Sequence, residues 1–212
     1  MKADEPSVFF RALGEMGQLP PFFPEIAALP ADGFEQAMRA ADAAAPFRGE
    51  AREPLNFMLA MLLSPLPEEQ ALSQVARLTS AARPQKYVRN MLALRREPGR
   101  LARSQAAALD TRLLFDGSLC PHDLALMAVA GAEADDRAAV RAYLAARLTD
   151  YEARAAQPML TGRDLMTAGY PAGARMKEQL AFARRLHFEG LSPEDALAAV
   201  RARYPLEGRT ES

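Results

Sequence analysis

Alanine dominates this chain, while the residues typical of β-strands are scarce. The 212 residues include 44 alanines but only one isoleucine and six valines. Alanine has the highest helix propensity, whereas β-branched and aromatic residues favour strands. This balance predicts an all-α protein. Prolines and glycines divide the chain into about ten helical segments, so we expect a multi-helix bundle with a buried core.

Two of these segments predict helices in the central part of the chain. Residues 53–63, EPLNFMLAMLL, are apolar on nearly all sides, which indicates a central buried helix. The segment RPQKYVRNMLALRREPG predicts a helix that Pro98 and Gly99 bring to an end. We also expect an aromatic cluster in the core, formed by Phe9, Phe10, Phe22 and Phe23.

The C-terminal segment LTGRDLMTAGYPAGARMKEQL predicts a helix hairpin. Thr161 stands three residues before Asp164, which is the spacing of a capping box, and Gly169 can take a left-handed cap. A second helix is expected from about Ala174 to Glu189, and a third begins at Ser192. We therefore expect a helical body over 1–156 and a helical tail over 157–212.

The glycines of this segment do not form a nucleotide-binding loop. A Walker loop needs G-x-x-x-x-G-K-[ST], and a dinucleotide loop needs G-x-G-x-x-G after a strand. Here Ala174 and Arg175 follow Gly173, and no strand is expected before it. A helix that begins at Gly173, with Arg175 and Lys177 in its first turns, can still meet a backbone phosphate. The alternative is a turn with surface charges.

Charge is distributed unevenly along the chain. The net charge is −1, yet residues 77–112 hold nine basic residues against Glu97 and Asp110, a local charge of +7. The remainder therefore carries −8. A cationic middle in an anionic chain is the pattern of a polyanion-binding surface. The alternative is an ordinary solvated helical face.

Two motifs resemble one family of RNA-processing enzymes. EPSVFFRALGEMGQLPPFFPEI near the start and LTGRDLMTAGYPAG near the end are similar to segments of the bacterial tRNA nucleotidyltransferases, which include the CCA-adding enzymes and the related poly(A) polymerases. The resemblance covers essentially the whole chain, although the proline and glycine at 170–173 depart from the family's spacing. The matching positions are Phe9, Phe10, Leu13, Gly17, Leu19, Phe23, Pro24, Glu25, Thr161, Gly162, Arg163, Asp164, Leu165 and Gly169.

The resemblance implies a body-and-tail module without the catalytic head of that family. The head, with its Gly-Gly motif and D-x-D metal pair, has no counterpart in this sequence. The His-Asp metal site that many relatives carry is replaced by Ser64 and Pro65, which cannot ligate a metal. We therefore expect no catalytic residue, metal or cofactor in this chain. Magnesium and CTP or ATP would belong to a separate or missing head.

The expected partners are tRNA or another structured RNA, together with a catalytic nucleotidyltransferase domain. Phosphate contacts position an RNA, whose A-form helices are recognised by shape. Tyr87, beside Lys86 and Arg89, is the aromatic candidate for stacking on a base. The candidate RNA-binding residues are Arg83, Lys86, Tyr87, Arg89, Arg95, Arg96, Arg100, Arg103, Arg163, Arg175 and Lys177.

Other parts of the sequence bear on the compartment and on competing functions. The single cysteine, Cys120, excludes an internal disulfide, and no apolar run approaches the length of a membrane span, so we expect a soluble cytoplasmic protein with no membrane partner. A degenerate HD-type hydrolase with another metal site is one alternative function, and metal analysis would test it. A helical protein-binding scaffold is the other.

Overall fold

The computed structural model describes residues 4–206, and over this range the chain is all-α, with no strand. The prediction of an all-α multi-helix fold is thus confirmed. The chain forms two compact units, Met1–Leu148 and Thr149–Ser212. We expected the boundary after residue 156; the units instead divide within a long helix. Within residues 4–206, no single helix is long and apolar enough to cross a membrane.

The first unit contains most of the helices. In chain order they are α1 (Pro6–Glu15), α2 (Leu19–Phe22), α3 (Pro24–Ala27), α4 (Ala31–Ala44), a 3-10 turn (Ala45–Phe47), α5 (Pro54–Leu62), α6 (Glu68–Leu78), α7 (Ala82–Leu94), α8 (Glu97–Arg103), α9 (Ala108–Asp116), α10 (Pro121–Ala130) and α11 (Arg137–Ala155), in which the unit boundary falls.

Two helices form the centre of the first unit. All of α5 from Phe57 to Leu62 is buried, and so is α10 from Leu124 to Ala130. The helices α4 and α7 pack on α5, while α10 contacts α4, α5, α8 and α9. A helix that is apolar on all sides can be buried without exposing a polar stripe. The central position expected for residues 53–63 follows from this composition.

Carboxylates from distant helices cap two of these helices. Both α1 and α5 begin with a proline, and neither has a side-chain cap from its own N-cap residue. Asp42 on α4 instead accepts a hydrogen bond from the Ser7 backbone N–H at 2.9 Å. Asp123 on α10 accepts hydrogen bonds from the backbone N–H groups of Arg52 and Glu53, which precede α5. Capping here also ties one helix to another.

Two expectations about this unit are wrong. The helix α7 ends at Leu94, and Pro98 and Gly99 lie in the first turn of α8 instead of closing α7. Proline is well tolerated there, since the first N–H groups of a helix have no intrahelical acceptor. The aromatic cluster is only partly core: Phe10 is buried, but Phe9 and Phe22 are 53% and 58% exposed.

The second unit is the predicted helix hairpin. It contains α12 (Gly162–Thr167), α13 (Ala174–Glu189) and α14 (Pro193–Arg203). Thr161 and Asp164 form the capping box, and Gly169 has a φ of +99°, which places it in the left-handed region. Ser192 caps α14 through the backbone N–H of Asp195. A small core holds these helices together, formed by Leu160, Leu165, Tyr170, Ala183 and Val200.

Candidate nucleic-acid interface

The helices α6 to α9 carry the basic residues of 77–112. Three of these residues lie on α7, and the boundary between α7 and α8 brings Arg95 and Arg96 side by side. Because α7 stops at Leu94, Arg96 is not part of a continuous row with Lys86 and Arg89. In chain order the basic residues are Arg77 on α6, Arg83, Lys86 and Arg89 on α7, Arg95 and Arg96 at the junction, Arg100 and Arg103 on α8, and Arg112 on α9.

Carboxylates pair with several of these cations. Arg83 Nε donates to Glu53 Oε1 at 3.0 Å, and Arg89 lies 3.7 Å from Glu68. The positive charge that this run presents to solvent is thus smaller than its sequence charge suggests, because glutamates from other parts of the chain pair with its arginines. The pairs are Arg77–Glu25, Arg83–Glu53, Arg89–Glu68 and Arg100–Glu97.

The pairs Arg89–Glu68 and Arg100–Glu97 are exposed on both sides and therefore weak. The arginine side chains in all four pairs are more than half exposed. Surface ion pairs contribute about 0–1 kcal/mol, so a phosphate can displace such a carboxylate at little cost. Arg83 is held most firmly, because Glu53 also accepts from Asn56 Nδ2 at 2.7 Å, and Arg83 lowers the pKa of Glu53. Arg83 therefore also joins α7 to the start of α5.

Three exposed cations of the basic run 77–112 have no carboxylate partner among residues 4–206. They are Lys86 on α7, Arg96 before α8, and Arg103 at the end of α8. Arg95 differs, since it is half-buried and its Nη1 donates to the Leu92 carbonyl. Burial, with repulsion from Arg96, lowers the pKa of Arg95. Lys86, Arg96 and Arg103 are therefore the candidates most available to a polyanion, and we call them the open cations.

The interpretation of Tyr87 as a base-stacking residue is wrong. Its side chain is 0% exposed, and its hydroxyl donates to Asp123 Oδ2 at 2.8 Å. Burial raises the pKa of Tyr87 well above its ordinary value, and Asp123 raises it further. Lys86 and Arg89 flank Tyr87 in the sequence, but the aromatic ring points into the core. It cannot stack on an RNA base without unfolding α7.

Asp123 has a structural role that the sequence did not indicate. Its side chain is fully buried, accepts hydrogen bonds from the Arg52 and Glu53 backbone N–H groups and the Tyr87 hydroxyl, and lies 3.3 Å from His122 Nδ1. Burial raises its pKa, but the bonds from the Arg52 backbone, Tyr87 and the Glu53 backbone outweigh that effect and hold the pKa below its ordinary value. Only a prediction of α5–α10 packing could have found this contact.

The neighbouring thiol is not set up as a nucleophile. Cys120 is buried, and burial raises its pKa to about 11. A thiol with so high a pKa is protonated at neutral pH and a poor nucleophile. His122 directs its Nδ1 toward Asp123 Oδ1 at 3.3 Å. Cys120 packs as a small apolar residue.

The second unit carries the remaining candidates. Arg163 lies on α12, while Arg175 and Lys177 lie in the first turns of α13, and all three are exposed. Gly173 provides α13 with no side-chain cap, and the first turn of α13 contains no acid. This helix start, with cations beside it, can accommodate a phosphate oxygen.

The part of the chain that the structure describes contains no group of three or more His, Cys, Asp or Glu residues that could hold a metal ion. Ser64 and Pro65, which stand where the family resemblance places a metal site, follow the end of α5. Comparison with models of known protein families, with curated proteins and with solved structures finds no match to this chain. The site residues above therefore rest on geometry and sequence alone.

Proposed function

We propose that this chain is a tRNA-binding body-and-tail module, which holds a structured RNA so that its 3′ end reaches a nucleotidyltransferase domain. The observation that carries the proposal is the set of open cations, Lys86, Arg96 and Arg103, within an otherwise acidic chain. The terminal motifs that resemble bacterial CCA-adding enzymes narrow the RNA to tRNA. Arg163, Arg175 and Lys177 of the tail are further phosphate contacts.

Binding in this proposal is electrostatic and does not depend on base sequence. Lysine and arginine contact phosphate oxygens, which fix the register of an RNA without reading its bases. Released counterions then contribute much of the binding free energy, so affinity falls steeply with salt. The weak ion pairs at Arg89 and Arg100 add to this effect, because each arginine can exchange a carboxylate for a phosphate. Nucleotide transfer, with its magnesium and its CTP or ATP, belongs to the partner domain.

A salt titration of tRNA binding tests the proposal. A triple variant, Lys86→Gln, Arg96→Gln and Arg103→Gln, removes the open cations. We expect its slope of log affinity against log salt to be shallower by about 0.7–0.9 for each lost phosphate contact. A control triple, Arg39→Gln, Arg52→Gln and Arg141→Gln, removes the same charge from exposed positions elsewhere in the first unit. Equal losses in both triples would mean that net charge alone governs binding.

A protein-binding scaffold is the second candidate, and one observation favours it. Four large apolar side chains of α1, its C-cap and α2 are more than half exposed, namely Val8, Phe9, Met16 and Phe22. Such residues are enriched where one protein docks on another. If this is the main function, the open-cation triple will retain the chain's interactions, whereas Phe9→Ser with Phe22→Ser will abolish them in a pull-down with the cognate domain.

A further inference from the structure

A cleft opens in the first unit where three helices end. The ends of α5, α7 and α10 and the residues that follow them meet one side of α4 and border an open cleft of about 360 Å³. Pockets that hold small organic ligands begin at about this size. The lining residues are Gln36, Ala40, Ala43, Met61, Ser64, Pro65, Arg95, Arg96, Met127 and Gly131.

Apolar side chains line the inner part of the cleft, and the short side chains of two alanines leave it open. Ala40 and Ala43 are three positions apart on α4, so their short side chains lie on the same side of that helix. Met61 and Met127 are almost wholly buried and line the same cleft with polarizable thioethers. Methionine packs well against the edges of aromatic rings. The inner part of the cleft therefore suits a flat heterocycle.

The rim of the cleft is cationic. Arg95 and Arg96 are the charged residues that line it, and no carboxylate lines it among the described residues. Glu68, which pairs with Arg89, acts on Arg95 electrostatically. Two guanidinium groups on neighbouring residues repel each other, and an anion between them relieves this repulsion. The Gln36 amide and the Ser64 hydroxyl add neutral hydrogen-bond donors.

We propose that this cleft binds a single nucleotide, with the phosphate on Arg95 and Arg96 and the base against Met61 and Met127. Arginine suits the phosphate because its planar N–H groups bind two oxygens at once. The site shares Arg96 with the open cations but includes neither Lys86 nor Arg103, so it does not require that the chain binds tRNA. The nucleotide comes either as a free nucleoside monophosphate or as the phosphorylated end of an RNA strand.

Calorimetric titration of the full chain with AMP tests the site. We expect Arg96→Gln to weaken AMP binding about tenfold or more, because it removes a charge-assisted hydrogen bond. Arg103→Gln, which removes the same charge outside the cleft, should leave AMP binding unchanged. Ala40→Phe fills the cleft and should abolish binding. Circular dichroism and the Tm verify that each variant is folded, and Arg96 is exposed, so its substitution keeps the test valid if Ala40→Phe unfolds the chain.

Further titrations distinguish a free nucleotide from an RNA end and measure the contribution of the phosphate. Adenosine should bind at least tenfold more weakly than AMP, since it lacks the charge-assisted bonds. Tighter binding of a 5′-phosphorylated tetranucleotide than of AMP assigns the site to an RNA end, and the reverse order assigns it to a free nucleotide. Failure of the wild-type chain to bind either probe, or binding that is unaffected by Arg96→Gln, overturns the proposal. The double variant Lys86→Gln and Arg103→Gln should weaken tRNA binding and leave AMP binding unchanged. The proposed tRNA binding and the proposed nucleotide site can therefore be tested independently.

Discussion

The Tyr87 hydroxyl donates a hydrogen bond to Asp123 across 2.8 Å, and both side chains are fully buried. Tyr87 lies near the middle of α7, and Asp123 lies in the first turn of α10 and also binds the backbone before α5. The three helices thus share one carboxylate. The contact fixes α7, and with it the cations that α7 carries.

Tyr87→Phe measures how much this hydrogen bond stabilises the fold. The variant removes one hydrogen bond to a buried carboxylate, which costs about 1.5–3 kcal/mol. We expect the midpoint of urea unfolding to fall accordingly, while tRNA affinity at a temperature well below the Tm stays unchanged. A urea midpoint equal to that of the wild type would show that the hydrogen bond to Asp123 does not stabilise the fold.

Asp123 should make the protein sensitive to acid. Its pKa in the folded chain is below its ordinary value of about 3.9, so its contribution to stability is fully present above that value and is lost as the pH falls through the folded pKa. Asp123→Asn leaves buried N–H groups without a charged acceptor and should cost about 3 kcal/mol at pH 7.

The unfolding free energies of wild type and Asp123→Asn at pH 7 and pH 3 measure this effect. The gap between the two proteins should narrow at pH 3, because this pH lies below the ordinary pKa of aspartate and unfolding of the wild type then takes up a proton at Asp123. Other carboxylates titrate in both proteins alike and cancel in the difference. A gap that stays constant with pH would show that the charge of Asp123 does not contribute.

The capping box of the second unit gives a local test. The Asp164 backbone N–H donates to Thr161 Oγ1 at 3.3 Å, and the Thr161 N–H donates to Asp164 Oδ2 at 2.8 Å. Thr161→Ala removes the cap and should destabilise the second unit by about 1 kcal/mol. Thr161→Ser retains the hydroxyl and serves as the control. Hydrogen exchange of the α12 amides measures the change, and equal exchange in both variants would contradict the capping role.

The hairpin of the second unit could be predicted because its signals are local. Thr161 and Asp164 are three residues apart, and so are Ser192 and Asp195, so each cap can be read within one helical turn. The end of α7 was misread for a related reason: Pro98 is compatible both with stopping one helix and with starting the next. Local signals place helices well but leave such boundaries ambiguous.

The electrostatics of the candidate interface could not be predicted in the same way. Glu25 and Glu53 are 52 and 30 residues from the arginines with which they pair, so the charge count of 77–112 did not include them. The burial of Tyr87 depends on Asp123, 36 residues away. The sequence gives the charge of a segment directly. How many of its cations remain without a carboxylate partner depends on how α3, α5 and α6 pack beside it.

Releasing a paired arginine should strengthen RNA binding if the α7–α8 segment contacts phosphate. Glu68 lies 3.7 Å from Arg89, so Glu68→Gln leaves this arginine more available to a phosphate. We expect a severalfold gain in tRNA affinity at low salt, because the lost ion pair is worth at most about 1 kcal/mol.

Glu35→Gln is the matched control, since Glu35 pairs with Arg11 outside this segment. Both variants change the net charge by the same amount, so only the proposed interface predicts a larger gain for Glu68→Gln in a fluorescence-anisotropy titration. Equal gains would assign the effect to net charge, and no gain in either would exclude the segment around Arg89 from the tRNA contact.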